Sequence, residues 1–129
     1  MMVLFANDNV EVIYDANNYE LLQVWRGYVP TELFREVIDL SVSFVRNNRV
    51  DLLISDTSQQ KVVSGSDADY AALVLGMMLG YGLKAMAFVL PHDVFTRFSL
   101  KKFADAGHGD QVGYFEHLEE ARKWSRFFK

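Results

Sequence analysis

Between Ala71 and Leu90 the chain reads AALVLGMMLGYGLKAMAFVL, twenty residues with a single charge, Lys84. That is about the length needed to cross a bilayer, and the fold class turns on whether it does. Gly76, Gly80 and Gly82 crowd its middle, Lys84 follows them, and Ala85 to Leu90 is short and closed by Pro91. This punctuation divides the stretch into the end of a helix and a buried strand, so no integral membrane segment is expected. Upstream, Leu52-Leu53-Ile54 is a short apolar run between Asp51 and Asp56, as expected of a strand covered on both faces. Between the two strands, Thr57 to Gly65 is polar, and Ser66 followed by Asp69 resembles a capping box opening a helix from Asp67 to about Tyr81, with Gly82 as its stop.

Further upstream, Val10–Tyr14 and Tyr19–Trp25 read as two strands joined by the turn Asp15-Ala16-Asn17-Asn18. After Pro30-Thr31, the residues Leu33, Phe34, Val37, Ile38, Leu40, Phe44 and Val45 fall on one face of a helix that stops near Asn47-Asn48. Downstream, the pattern predicts a helix over Asp93–Ala106, a strand over Val112–Phe115 and a closing helix over Leu118–Phe128. In the closing helix, Glu119 and Glu120 precede Arg122, Lys123 and Arg126, as the helix dipole favours. The order is β-β-α-β-α-β-α-β-α. It implies a single α/β domain over 1–129, with a five-stranded, mixed but largely parallel sheet and four helices.

Composition excludes several functions. The 129 residues contain no Cys, which removes disulfides, thiolate metal sites and a Cys nucleophile, and fits a cytoplasmic setting. Against 17 Asp and Glu there are only 13 Lys and Arg, too few to neutralise a run of phosphates, so no nucleic-acid partner is expected. Met1 to Ala6 has no basic leader and runs into Asn7-Asp8-Asn9, so no signal peptide is expected. No Gly-x-Gly-x-x-Gly or Gly-Lys-Ser/Thr step is present to cradle a nucleotide phosphate, and no cofactor is expected.

The order of elements carries a resemblance. Trp25-x-Gly27, Phe34-Arg35, Asp56, Leu83-Lys84-Ala85, Tyr114-Phe115-Glu116, Glu119-Glu120-Ala121 and Trp124 together resemble the SpoIIAA-like family of small bacterial proteins. That family is related to the STAS domains of anti-sigma-factor antagonists and, more remotely, to lipid-binding CRAL-TRIO domains. The resemblance runs from about Tyr19 to Trp124. It implies a non-enzymatic regulatory or binding domain that takes a protein partner or a small apolar, lipid-like ligand. STAS regulators carry a phosphorylatable Ser in an Asp-Ser-Ser-Gly-like step opening the helix after the third strand. Here the segment reads Val62-Val63-Ser64-Gly65-Ser66-Asp67, which offers Ser64 and Ser66 but lacks the preceding Asp.

In a parallel sheet, loops leading from the carboxyl ends of strands into helix N-termini gather ligands. That edge is expected to hold the main cavity, near Trp25, Arg26, Tyr28, Asp56 and His92. Trp25 could equally fill the core. Asp56, His92 and His117 give an enzymatic alternative, a small hydrolase or a metal-dependent site, because imidazole titrates near neutrality and carboxylates orient it. Their structural reading is loop and helix-start roles. A phosphoacceptor role for Asp56 fails on its partners, since Trp25-Arg26-Gly27 stands where an acidic pair would hold Mg²⁺.

Two surfaces complete the expectations. Arg97, Lys101 and Lys102 beside Phe95, Phe98 and Phe103 could rest on anionic lipid heads or be a solvated helix face. Ala71 to Leu79 has no polar residue, so Met77, Met78, Leu79 and Tyr81 are expected at a homodimer interface unless a neighbouring helix covers them.

Overall fold

The computed structural model describes residues 1–61, 63–90 and 111–128. Along the chain lie β1 (Met2–Ala6), β2 (Val10–Asp15), β3 (Glu20–Gly27), α1 (Thr31–Asn47), β4 (Leu52–Gln60), α2 (Gly65–Gly80), β5 (Ala85–Val89), β6 (Val112–Phe115) and α3 (Leu118–Ser125). A 3-10 turn over Arg126–Phe128 follows α3. Among the described residues six strands form one sheet in the order β1-β2-β3-β4-β5-β6. β1, β2 and β3 are antiparallel neighbours, and β3 to β6 are parallel.

The sequence predicts five strands; the sixth is β1, whose Met2 faces Tyr14 and whose Ala6 faces Glu11. Met2-Val3-Leu4-Phe5-Ala6 is apolar without alternation, so its periodicity gives no strand signal. It is an edge strand, with Met2 and Val3 about half exposed or more. The helix expected over Asp93–Ala106, with the basic face of Arg97, Lys101 and Lys102, lies outside the described residues.

Alternation along the strands sorts side chains to two faces. Leu21 and Trp25 of β3, Leu53 of β4 and Met86 and Phe88 of β5 meet Phe34, Val37, Ile38, Val42 and Val45 of α1 and Ala68, Ala71, Leu75 and Met78 of α2. On the opposite face Ile54, Ala87 and Val89 pack with Leu22, Phe115 and the α3 residues Leu118, Ala121 and Trp124. Covered from both sides, β5 is buried at all five positions.

Ala71–Leu90 therefore divides as its glycines dictate. α2 ends at Gly80, Gly82 takes φ +101°, and the chain re-enters the sheet at Ala85. Among the described residues no helix is long and apolar enough to cross a membrane. α2 opens at Gly65, two residues before the position read from the sequence. Its cap is Ser64, whose Oγ accepts the Asp67 backbone N–H at 3.1 Å, so the box is Ser64 with Asp67 rather than Ser66 with Asp69. Met78 falls on the Ala71–Leu75 stripe and is fully buried against the sheet, and Leu79 packs at the margin of the core. Met77 and Tyr81 are exposed, and with the exposed Leu73 they recur every fourth residue along the outer face.

Candidate ligand-binding groove

β3 closes at Gly27, whose φ of +64° turns the chain out of the sheet and into Tyr28-Val29-Pro30. Pro30 then occupies the N-cap position of α1, where its missing N–H costs nothing. Across the sheet, β4 carries a bulge: Val24 faces Asp56, but Arg26 faces Gln59, so three residues of β4 run against two of β3. The extra residue inverts the alternation. Thr57 and Gln60, an odd and an even position, therefore both line the helix-facing side with Trp25 and Phe34. The bulge thus turns Gln60, rather than Gln59, to the helix-facing side.

The turn after β3, the end of β4 and the first turns of α1 and α2 enclose a groove of about 350 Å³. Val29, Pro30, Phe34 and Val63 give it apolar walls, Tyr28 stands at its rim, and Thr31, Gln60, Ser64 and Asp67 supply the polar groups. Tyr28 is 71% exposed and Gln60 only 3%. Among the described residues no donor reaches Gln60 Oε1.

One carboxylate braces the far wall. Buried Asp67 accepts the Thr31 hydroxyl at 2.9 Å and the Arg35 Nε–H at 3.2 Å, which ties the first turns of α1 and α2 together. Arg35 also donates through Nη2 to Ser66 Oγ at 2.9 Å, and its guanidinium lies 4.6 Å from the centre of the Tyr70 ring. The Tyr70 hydroxyl donates to Asp39, and that bond, with partial burial and the Asp39 charge, raises the phenol above its ordinary value of 10.0. The two helices are thus joined by a continuous polar network beside the groove.

Behind the groove is a void of about 10 Å³ that Phe34 and Gln60 also border. Trp25 belongs to this inner layer. It is 1% exposed, its ring centroid lies 5.1 Å from that of Phe34, and its Nε1–H donates to Ser55 Oγ at 3.0 Å.

Of the residues expected to line the main cavity, Tyr28 alone among the described ones borders the groove, with Trp25 behind it. Arg26, next along β3, pairs with Glu11 of β2 at 3.1 Å. Asp56 follows Ser55 and so faces the α3 side; its Oδ1 accepts the Ser58 backbone N–H at 3.0 Å and the Ser58 hydroxyl at 2.7 Å. His92 lies outside the described residues. His117 occupies the N-cap position of α3, exposed and without a side-chain cap bond. Among the described residues no three His, Cys, Asp or Glu side chains gather where a metal could sit. Sequence reasoning missed the apolar walls Val29, Pro30, Phe34 and Val63 and the polar Thr31, Gln60 and Asp67 as groove residues. The signal available for Thr31 and Asp67 was that both stand in the polar first turns of helices that follow neighbouring strands.

No family model matches the sequence, and no curated protein matches it. Among solved structures, an uncharacterized protein of the DUF3478 family with a SpoIIAA-like fold, from Shewanella loihica PV-4, superposes with a TM-score of 0.60. The match covers 94% of this chain and 98% of that one at 16% identity. The chain therefore has the SpoIIAA-like α/β fold that the resemblance implied.

Proposed function

We propose that this is a non-enzymatic binding or regulatory domain whose ligand docks in the groove between the first turns of α1 and α2. The observation that carries the reading is the groove itself. It has the size of ligand sites, apolar walls with a few polar groups, and an exposed Tyr28 ring at its mouth. The braced Thr31–Asp67–Arg35 network supports the reading, because a wall held before binding spares the ligand the cost of ordering it.

Titration of isotope-labelled protein with small monocyclic aromatics, followed by amide NMR, tests this. Shifts are expected at Val29, Phe34, Gln60 and Val63, and are expected to vanish in a Val29→Trp variant that fills the groove. Shifts confined to another face would overturn the reading.

A phosphoregulated form of the same domain is a second reading, favoured at Ser66 rather than Ser64. The Ser64 hydroxyl oxygen caps α2, whereas Ser66 Oγ already lies 2.9 Å from an Arg35 nitrogen. A phosphate on Ser66 would bind that guanidinium and the helix N-terminus. Mass spectrometry after incubation with a cellular kinase fraction should then place the added mass on Ser66. Modification at Ser64, or at neither serine, counts against it.

A further inference from the structure

We propose that the groove selects a small aromatic group bearing an O–H or N–H donor, a phenol or an indole, and recognises that donor through the Gln60 carboxamide oxygen. This rests on the groove being the binding site. Gln60 Oε1 is buried and unpartnered among the described residues. Native proteins seldom leave such an acceptor unmatched without a reason. Two threonine hydroxyls near it, Thr31 of the groove and Thr57 of the void behind, are committed elsewhere. Thr31 donates to Asp67 at 2.9 Å, and Thr57 donates to the Val89 carbonyl at 2.6 Å. The bulge in β4 places the carboxamide at the boundary between the groove and the void behind it, flanked by Phe34.

The rest of the ligand class follows from the surroundings. Asp67 is the acidic residue of the lining and is already matched by Arg35 at 3.2 Å, so the groove holds no surplus charge to draw a cation or an anion. A neutral donor fits the neutral carboxamide. Phe34 and Tyr28 border the groove with aromatic side chains, and Val29 and Val63 add apolar walls, a setting suited to a flat aromatic body. The donor ring can be a free small molecule or a tyrosine or tryptophan side chain of a protein.

Phenol and anisole separate this proposal from the reading beneath it, because they differ in little but the donor. In NMR titrations of the intact chain, phenol should bind about tenfold more tightly than anisole, the ratio expected from one buried acceptor satisfied or left bare. In a Gln60→Met variant, similar in shape but without the amide, the ratio should fall to about one as anisole binding persists. N-acetyltyrosinamide binding more tightly than phenol would assign the occupant to a protein, and the opposite order to a free small molecule. Equal binding of phenol and anisole by the parent protein overturns the donor proposal and leaves the groove as a binding site. Absence of both from the groove overturns the two together.

Discussion

Trp25→Ala is expected to cost about 3–5 kcal/mol, the range for removing a large aromatic from a core. Trp25 is among the largest fully buried side chains. It links the sheet to α1 through Phe34 and to β4 through Ser55 Oγ. Its removal would enlarge the void behind the groove and leave the Ser55 hydroxyl short of a donor. Domains of this size have about 5–15 kcal/mol in hand, so the variant should lose a large part of its stability. Trp25→Phe separates the two losses: it keeps most of the ring and should cost about 1–2 kcal/mol, chiefly for the lost hydrogen bond. Urea denaturation at equilibrium measures both, through midpoints compared at similar slopes. A Trp25→Ala midpoint close to the parent's would contradict the core role assigned to the residue.

Asp67→Ala should be the most damaging change among the polar residues, at about 2 kcal/mol. Losing one partner of a fully buried ion pair costs about 3–5 kcal/mol, but the Arg35 side chain is 38% exposed and can rehydrate once its partner is gone. Thr31 loses its acceptor in the same step, so the tie between the first turns of α1 and α2 goes with it. Asp67→Asn, which keeps an acceptor oxygen for Thr31, should retain about half of the loss. The expected signature is a lower urea midpoint with faster amide exchange in the first turns of both helices. Exchange accelerated uniformly over the chain would mean that the bridge does not act locally.

Much of the fold could be read from the chain because its signals were periodic. The stripe from Leu33 to Val45 gives α1, the bounded run Leu52-Leu53-Ile54 gives the start of β4, and the glycines within Ala71–Leu90 separate α2 from β5. β1 escaped because an edge strand with both faces partly wet needs no alternation. Ser66–Asp69 was mistaken for the cap of α2 because Ser64–Asp67 has the same spacing, and Gly65 between them reads as loop although it opens the helix.

The groove was less legible. Its position at the carboxyl end of β3 and β4 follows from topology, but which side chains enter it depends on the bulge in β4, which no residue type announces. Thr57–Gln60 is polar and reads as loop, yet it continues the strand with Thr57 and Gln60 buried. The sequence sets Trp25 and Asp56 at the same edge of the sheet, but alternation sends them to opposite faces. Gln23, inside the core and donating to Ser41 Oγ at 2.8 Å, was invisible for a similar reason: nothing local says that an amide will be buried.

The strands lie in the sheet in the order in which they occur in the chain, and this bears on how the molecule is made. Each new strand finds an open edge left by the strand translated just before it, and none has to be inserted between two already paired. On the ribosome the β1–β3 meander is complete before α1 emerges, and β4, β5 and β6 then extend the sheet one after another. Keeping pairings between sequence neighbours limits the loop closure that slows sheet formation. It also means that, besides the fixed outer edge of β1, the nascent protein presents one edge that moves as it grows, where an unfinished chain can mispair with another at the strand awaiting its successor.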